Sequence, residues 1–273
     1  MLNRILVALI GIPLLLTVLL KGGFLLLLFV NFVVLVGLFE FFKMAEVGGK
    51  KPEVGLGYAA GIAIPNLIYF LSVSNSEIAF IFPMVVLTLG SIARRVFQNK
   101  VENSSRDIGI TLLGVVYVSG LFSHLLLMNY LPKGGEWLLS IQILVWICDS
   151  FAYFVGMGIG RKIFKKGFST ISPKKSIEGS IGGIVFTMGG IYLLNNYFQL
   201  FTPGTSIYLV LAFGLMISLI AQIGDLGESM FKREFKIKDS GRLLGEHGGI
   251  LDRFDSMIFV VPAVYYLLKF FVV

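Results

Sequence analysis

A chain of 273 residues that is 56% hydrophobic and only 14% charged falls outside the soluble globular class, in which about a quarter of residues are charged. Its net charge of +7 would suggest nucleic acid in a soluble protein; in a membrane protein, Lys and Arg in cytoplasmic loops explain it, so no nucleic-acid partner is expected. Cys148 is the only cysteine, which excludes an internal disulfide and any cysteine-based metal cluster.

The apolar residues come in long runs rather than at amphipathic spacing, which predicts an all-α, polytopic membrane protein. Nine spans are expected, near residues 5–20, 23–42, 54–74, 78–93, 107–130, 136–157, 180–200, 205–228 and 250–272. The first, in "MLNRILVALIGIPLLLTVLLKGG", lacks a small-x-small cleavage site and runs straight into the second, so it reads as a retained helix rather than a signal peptide. Of the 23 Lys and Arg, 20 fall before the first span or around the loops after the second, fourth, sixth and eighth. The opposite side holds only Lys21, Lys133 and Lys269. That asymmetry predicts a cytoplasmic N-terminus, an external C-terminus and chemistry at the cytoplasmic face of an inner, or plasma, membrane. Residues 1–135 read as a scaffold that can also carry dimer contacts. Residues 136–273 read as the catalytic helices, with cytoplasmic loops 158–179 and 229–250. His124, inside the fifth span, reads as a packing or hydrogen-bonding residue.

The first polar constellation lies in "WICDSFAYFVGMGIGRKIFKKGFSTISPKKSIEGSIGG", residues 146–183. Asp149 falls within an apolar helix, where an ionised carboxylate costs about 2.5–3.5 kcal/mol, so it is a functional candidate by default. Gly156, Gly158 and Gly160 suit close helix packing or a flexible exit from the membrane. In "SPKKSIEG", Ser172 is expected to cap a helix with Pro173 at its first position. Lys174, Lys175 and free backbone N–H groups would then face one anion. Lys162, Lys165 and Lys166 read as ordinary cytoplasmic-side charge.

The second constellation begins in the eighth span. Gln222, Asp225, Glu228 and Ser229 share one helical stripe by their spacing, which at membrane depth should face a polar cavity rather than lipid. Lys238, Asp239, Arg242, His247, Gly248 and Gly249 follow. Asp252 and Asp255 open the ninth span on one face. The helix dipole accounts for one aspartate in a first turn but not for three carboxylates on two helix ends. Carboxylates at such a boundary need a cation or proton between them, and hard oxygen ligands suit Mg²⁺ with phosphate and water. Cationic side chains nearby would meet the remaining phosphate charge. The parts describe phosphoryl or nucleotidyl transfer. Cytoplasmic-side charge still suffices for Lys236 and Lys232.

The run Ser229-x2-Lys232-Arg233-x4-Lys238-Asp239-Ser240-Gly241-x2-Leu244-Gly245-x-His247-Gly248-Gly249-Ile250-x-Asp252-Arg253-Phe254-Asp255 resembles the signature of the phosphatidate cytidylyltransferases, or CDP-diacylglycerol synthases. Asp149, Ala152, Tyr153 and Gly156, followed by "SPKKSIEG", resemble a second stretch of that family. This chain has Glu246 before the histidine where the family commonly has proline and glycine, Met157 where an Arg is frequent, and Ser176 where a Thr is frequent. The resemblance implies that phosphatidic acid and CTP are substrates in phospholipid synthesis, yielding CDP-diacylglycerol and pyrophosphate. It also implies a homodimer and Mg²⁺, with a second cation compatible with the same carboxylates. Asp225, Asp252 and Asp255 would then be metal ligands, with Lys174 and Lys175 catalytic beside them. Ser172, Lys175, Ser176, Glu178, Gly179, Asp149, Tyr153, Lys238, Asp239, Arg242, His247, Gly248, Gly249 and Arg253 would bind substrate. Two rivals lack their expected features: a CDP-alcohol phosphotransferase would show D-G-x-x-A-R with two further aspartates, and an ion-coupled transporter would show inverted repeats.

Overall fold

Long apolar runs with few prolines leave helix as the only way to satisfy the backbone inside a bilayer. The computed structural model describes residues 2–71, 76–165, 167–241 and 248–271. It is 79% helical and contains no sheet among these residues. The α-helices are α1 (Leu2–Lys21), α2 (Gly23–Val47), α3 (Val54–Leu71), α4 (Ser76–Phe97), α5 (Ser104–Gly114), α6 (His124–Asn129), α7 (Gly134–Ile159), α8 (Ile177–Phe198), α9 (Ile207–Glu234) and α10 (Leu251–Phe271). Among the described residues, seven helical segments are long and apolar enough to cross a membrane, one of them the continuous stretch Ser104–Asn129. The chain is an integral membrane protein.

Several elements run past their expected ends. α2 continues to Val47 and α9 to Glu234, so Lys43 and Lys232 stand on helices rather than in loops. The expected fifth span is interrupted by a π-helical segment, Val115–Gly120, between α5 and α6. There Ser119 Oγ donates to the Gly61 carbonyl of α3 at 2.6 Å. His124 lies against Phe80 and hydrogen-bonds through Nδ1 to the Gly120 carbonyl at 3.0 Å, in line with its expected packing role.

The chain divides into two compact units. One comprises Met1–Tyr130 and Phe231–Phe254, so the end of α9, the following loop and the start of α10 belong with the N-terminal helices. Its core includes an aromatic cluster in which Phe41 of α2 meets Tyr117, Phe231 and Phe235. It also holds a buried ion cluster: Glu53 accepts hydrogen bonds from Arg94 and Arg95, both at 2.6 Å, and Arg95 reaches Asp107 at 3.3 Å. Pairing of this kind is what allows charges to stay ionised away from water.

The second unit comprises Leu131–Met230 and Asp255–Val273. Here α7 and α8 pack along a glycine seam. A Cβ at Gly179 would lie 3.2 Å from the Gly156 Cα, and one at Gly183 would lie 3.0 Å from the Cys148 carbonyl. α9 and α10 approach equally closely: a Cβ at Gly224 would fall 2.8 Å from the Asp255 carbonyl, and Ser256 Oγ donates to the Ala221 carbonyl at 3.0 Å. That contact brings Asp225 and Asp255 to the same end of the helix pair.

Candidate active site

In the second unit, the loop between α7 and α8 folds back on itself. An isolated antiparallel bridge joins Gly167 and Ser176, and the Phe168 N–H donates to the Lys175 carbonyl at 2.9 Å. This bridge overturns the expected capping by Ser172. The Ser172 carbonyl accepts from the Lys175 N–H, closing one turn around Pro173. The chain then stays extended through Ser176 (φ −107°, ψ 154°), which is the true N-cap, accepting the Gly179 N–H at 3.1 Å. Lys174 and Lys175 therefore precede α8 rather than forming its first turn.

Glu178 fixes the other arm of the loop. It is buried, and its Oε1 accepts the N–H groups of Ile163 and Phe164, each at 2.9 Å. Arg161 donates to the Pro173 carbonyl. Gly156 and Gly160 make room for Ser176, whereas Gly158 has open space around it. The "SPKKSIEG" segment is thus a rigid platform, with Lys174 exposed and Lys175 half-buried.

Lys175 points to α9, where its ammonium pairs with Asp225. Asp149 on α7 lies within electrostatic reach of both. One turn deeper, Gln222 Oε1 accepts from Ser180 of α8, and its amide donates to Ser218 Oγ at 3.2 Å. Within the stripe, Gln222 thus meets a hydroxyl of α8 rather than an open cavity; Glu228 is buried and Ser229 half-buried. Tyr153 stands 61% exposed on α7.

In the N-terminal unit, Asp252 is held from all sides. Lys232 Nζ donates to Oδ1 at 2.7 Å, while the Ser240 N–H (3.1 Å), Ser240 Oγ (2.9 Å) and Gly249 N–H (2.8 Å) donate to Oδ2. Lys232, with only 13% of its side chain exposed, is therefore the partner of Asp252 rather than ordinary loop charge. Gly248 adopts φ +80°, the left-handed conformation that lets the chain turn into α10. Lys238 and Asp239 are exposed and line a cavity of about 720 Å³ with Lys43, Glu40 and the apolar Phe39 and Val47. Arg253 is exposed. Arg242, Glu246 and His247 lie outside the described residues.

Sequence reasoning missed Glu40. Only 2% exposed near the end of α2, it accepts the backbone N–H groups of Ile250 and Leu251, both at 2.9 Å, and the Ser240 hydroxyl at 3.1 Å. The available signal was an acid inside an apolar run, "VVLVGLFEFF". Among the described residues no group of three or more His, Cys, Asp and Glu side chains could hold a metal ion. What the structure does display is a motif carboxylate beside a lysine ammonium in each unit: Asp225 with Lys175, and Asp252 with Lys232.

Carboxylates beside ammonium groups, on helices of a polytopic membrane protein, are the side-chain types that phosphoryl or nucleotidyl transfer uses. Comparison with known proteins specifies it further: the model of the cytidylyltransferase family matches residues 2–271, and the chain belongs to that family. A phosphatidate cytidylyltransferase of Bacillus subtilis (strain 168) is 34% identical over 244 residues, 86% of either chain. One of Staphylococcus aureus (strain COL) is 35% identical over 270 residues, 97% of this chain and 98% of the relative. A third, of Staphylococcus epidermidis (strain ATCC 12228), is 34% identical over 275 residues.

Proposed function

We propose that the protein transfers the cytidylyl group of CTP to phosphatidic acid, giving CDP-diacylglycerol and pyrophosphate at the cytoplasmic face of the membrane. The observation that carries this reading is the Lys175–Asp225 pair on the capped "SPKKSIEG" platform. It sets a phosphate-binding cation beside a carboxylate at the N-terminal end of α8, where helix N–H groups favour anions.

Attack of one anion on another is opposed by charge, so positioning and neutralisation carry the catalysis. The lipid phosphate needs no strong general base, because a phosphate monoester has a second pKa of about 6 and is already mostly ionised. Lys174, Lys175, Lys238, Arg242 and Arg253 share the phosphate charge of the two substrates. The cavity lined by Lys43 and Lys238 together with the exposed Phe39 and Val47 suits a phosphate head attached to an apolar tail.

Oxygen ligands from one or two aspartates are what Mg²⁺ takes beside phosphates and water, although the described residues do not bring three such ligands together. The family resemblance names Asp225 and Asp255 of one unit and Asp252 of the other as candidate ligands, and the charge of a bound cation would neutralise nucleotide phosphate and the departing pyrophosphate. Lys175 and Lys232, already paired with two of those aspartates, are then positioned to meet phosphate oxygens.

The test incubates purified protein in detergent with Mg²⁺, phosphatidate and each nucleoside triphosphate in turn. Pyrophosphate release with CTP and lipid together, and with neither alone, is expected. No release under any combination would overturn the proposal.

A further inference from the structure

α10 begins with an uncapped turn. The residues before it, Gly248, Gly249 and Ile250, have no side-chain oxygen, so none of them can cap the N–H groups at the helix start. Asp252 accepts one of them, from Gly249. The next two, from Ile250 and Leu251, are accepted by Glu40, which comes from α2. The fit is tight: a Cβ at Gly249 would lie 2.6 Å from Glu40 Oε2, and one at Gly241 would lie 2.8 Å from the Glu40 Cδ. Both glycines therefore leave space that this carboxylate fills.

Glu40 also reaches Asp252 through one intermediary. Ser240 Oγ lies 3.1 Å from Glu40 Oε2 and 2.9 Å from Asp252 Oδ2. A hydroxyl has one proton, so it donates to one carboxylate at a time. The orientation of Asp252 is thereby tied to the charge on Glu40. A cap alone would need only the two N–H groups; the shared hydroxyl and the flanking Lys238–Gly241 segment place Glu40 behind the site.

We infer that Glu40 is a positioning residue of the transfer reaction, holding Asp252, Ser240 and the first turn of α10 in place from the N-terminal half of the chain. The inference rests on the proposed cytidylyl transfer. Glu40 acts through Ser240 and Asp252.

The experiment compares wild-type protein, Glu40→Gln, Ser240→Ala and the double variant. Steady-state kinetics with CTP and phosphatidate are measured alongside thermal unfolding and backbone amide exchange. Glu40→Gln is expected to lower kcat at least about tenfold with little change in KM for CTP, and to speed exchange at Ile250 and Leu251 by a similar factor. Ser240→Ala should lower kcat severalfold, and the double variant should be no worse than Glu40→Gln alone, because the two residues act along one chain of contacts. Wild-type kcat in Ser240→Ala would overturn the inference, as would multiplied losses in the double variant. Ser240→Ala keeps the test decisive should Glu40→Gln fail to fold. Absence of turnover in the wild-type protein would instead strike the proposed function, while amide exchange would still report whether Glu40 holds α10.

Discussion

Replacing Asp225 by Asn leaves the shape of the side chain and removes its charge, which separates two roles for the Lys175–Asp225 pair. As a structural ion pair it is weak: the two side chains are 34% and 30% exposed, and screened pairs contribute about 1 kcal/mol or less. Loss of that amount would lower the unfolding midpoint by only about 2–4 °C for a chain of this size. As part of the transfer site, Asp225 acts where charge develops. Removing one preorganised electrostatic group costs about 2.7–4 kcal/mol of barrier, or about 10²–10³-fold in kcat. The assay is pyrophosphate release from CTP with phosphatidate in detergent, with the unfolding midpoint measured on the same preparation. A kcat within about threefold of wild type would refute the reasoning. A double change, Lys175→Met with Asp225→Leu, sharpens it. A merely structural pair tolerates an apolar replacement of similar volume, so recovered activity in that variant would also refute a catalytic role.

Glu178→Ala frees the N–H groups of Ile163 and Phe164, each held by a charge-assisted bond of about 1.5–3 kcal/mol. Their amide exchange should rise at least tenfold, and unchanged protection would show that the loop holds without Glu178. Glu246→Gly should keep activity within about tenfold of wild type, about 1.4 kcal/mol of barrier; a larger loss in the same kinetic assay would show that Glu246 takes part in the site. Chelation by EDTA should abolish turnover and added Mg²⁺ restore it, whereas full activity in excess chelator would remove the divalent cation from the proposal.

The helical membrane architecture was legible because long apolar runs are a property of the chain itself. Asp149 and Asp225 stood out as candidates for a related reason: a charge inside an apolar helix is costly and so draws attention to its position. Ser172 misled because Ser-Pro is a valid start for a helix, and only the long-range bridge between Gly167 and Ser176 delays that start by four residues. Lys232 looked like loop charge until α9 proved long enough to carry it to Asp252. Glu40 stayed hidden because its partners lie 200 to 211 residues further along the chain, beyond any local pattern. The sequence of α10 did hold half of that message, since a helix opening on Gly-Gly-Ile must borrow its cap from elsewhere.

That borrowed cap has a consequence for biosynthesis. The ribosome adds about 5–20 residues each second, so the 210 residues separating Glu40 from Ile250 take about 10–40 s to follow it. Throughout that interval the nascent chain carries an acid on α2 whose final acceptor role cannot yet be filled. The first hydrophobic helices can insert early, but the N-terminal unit is completed only when the opening of the last helix arrives. A chain interrupted before that point would hold most of its helices while the Glu40 carboxylate still lacked its Ile250 and Leu251 partners.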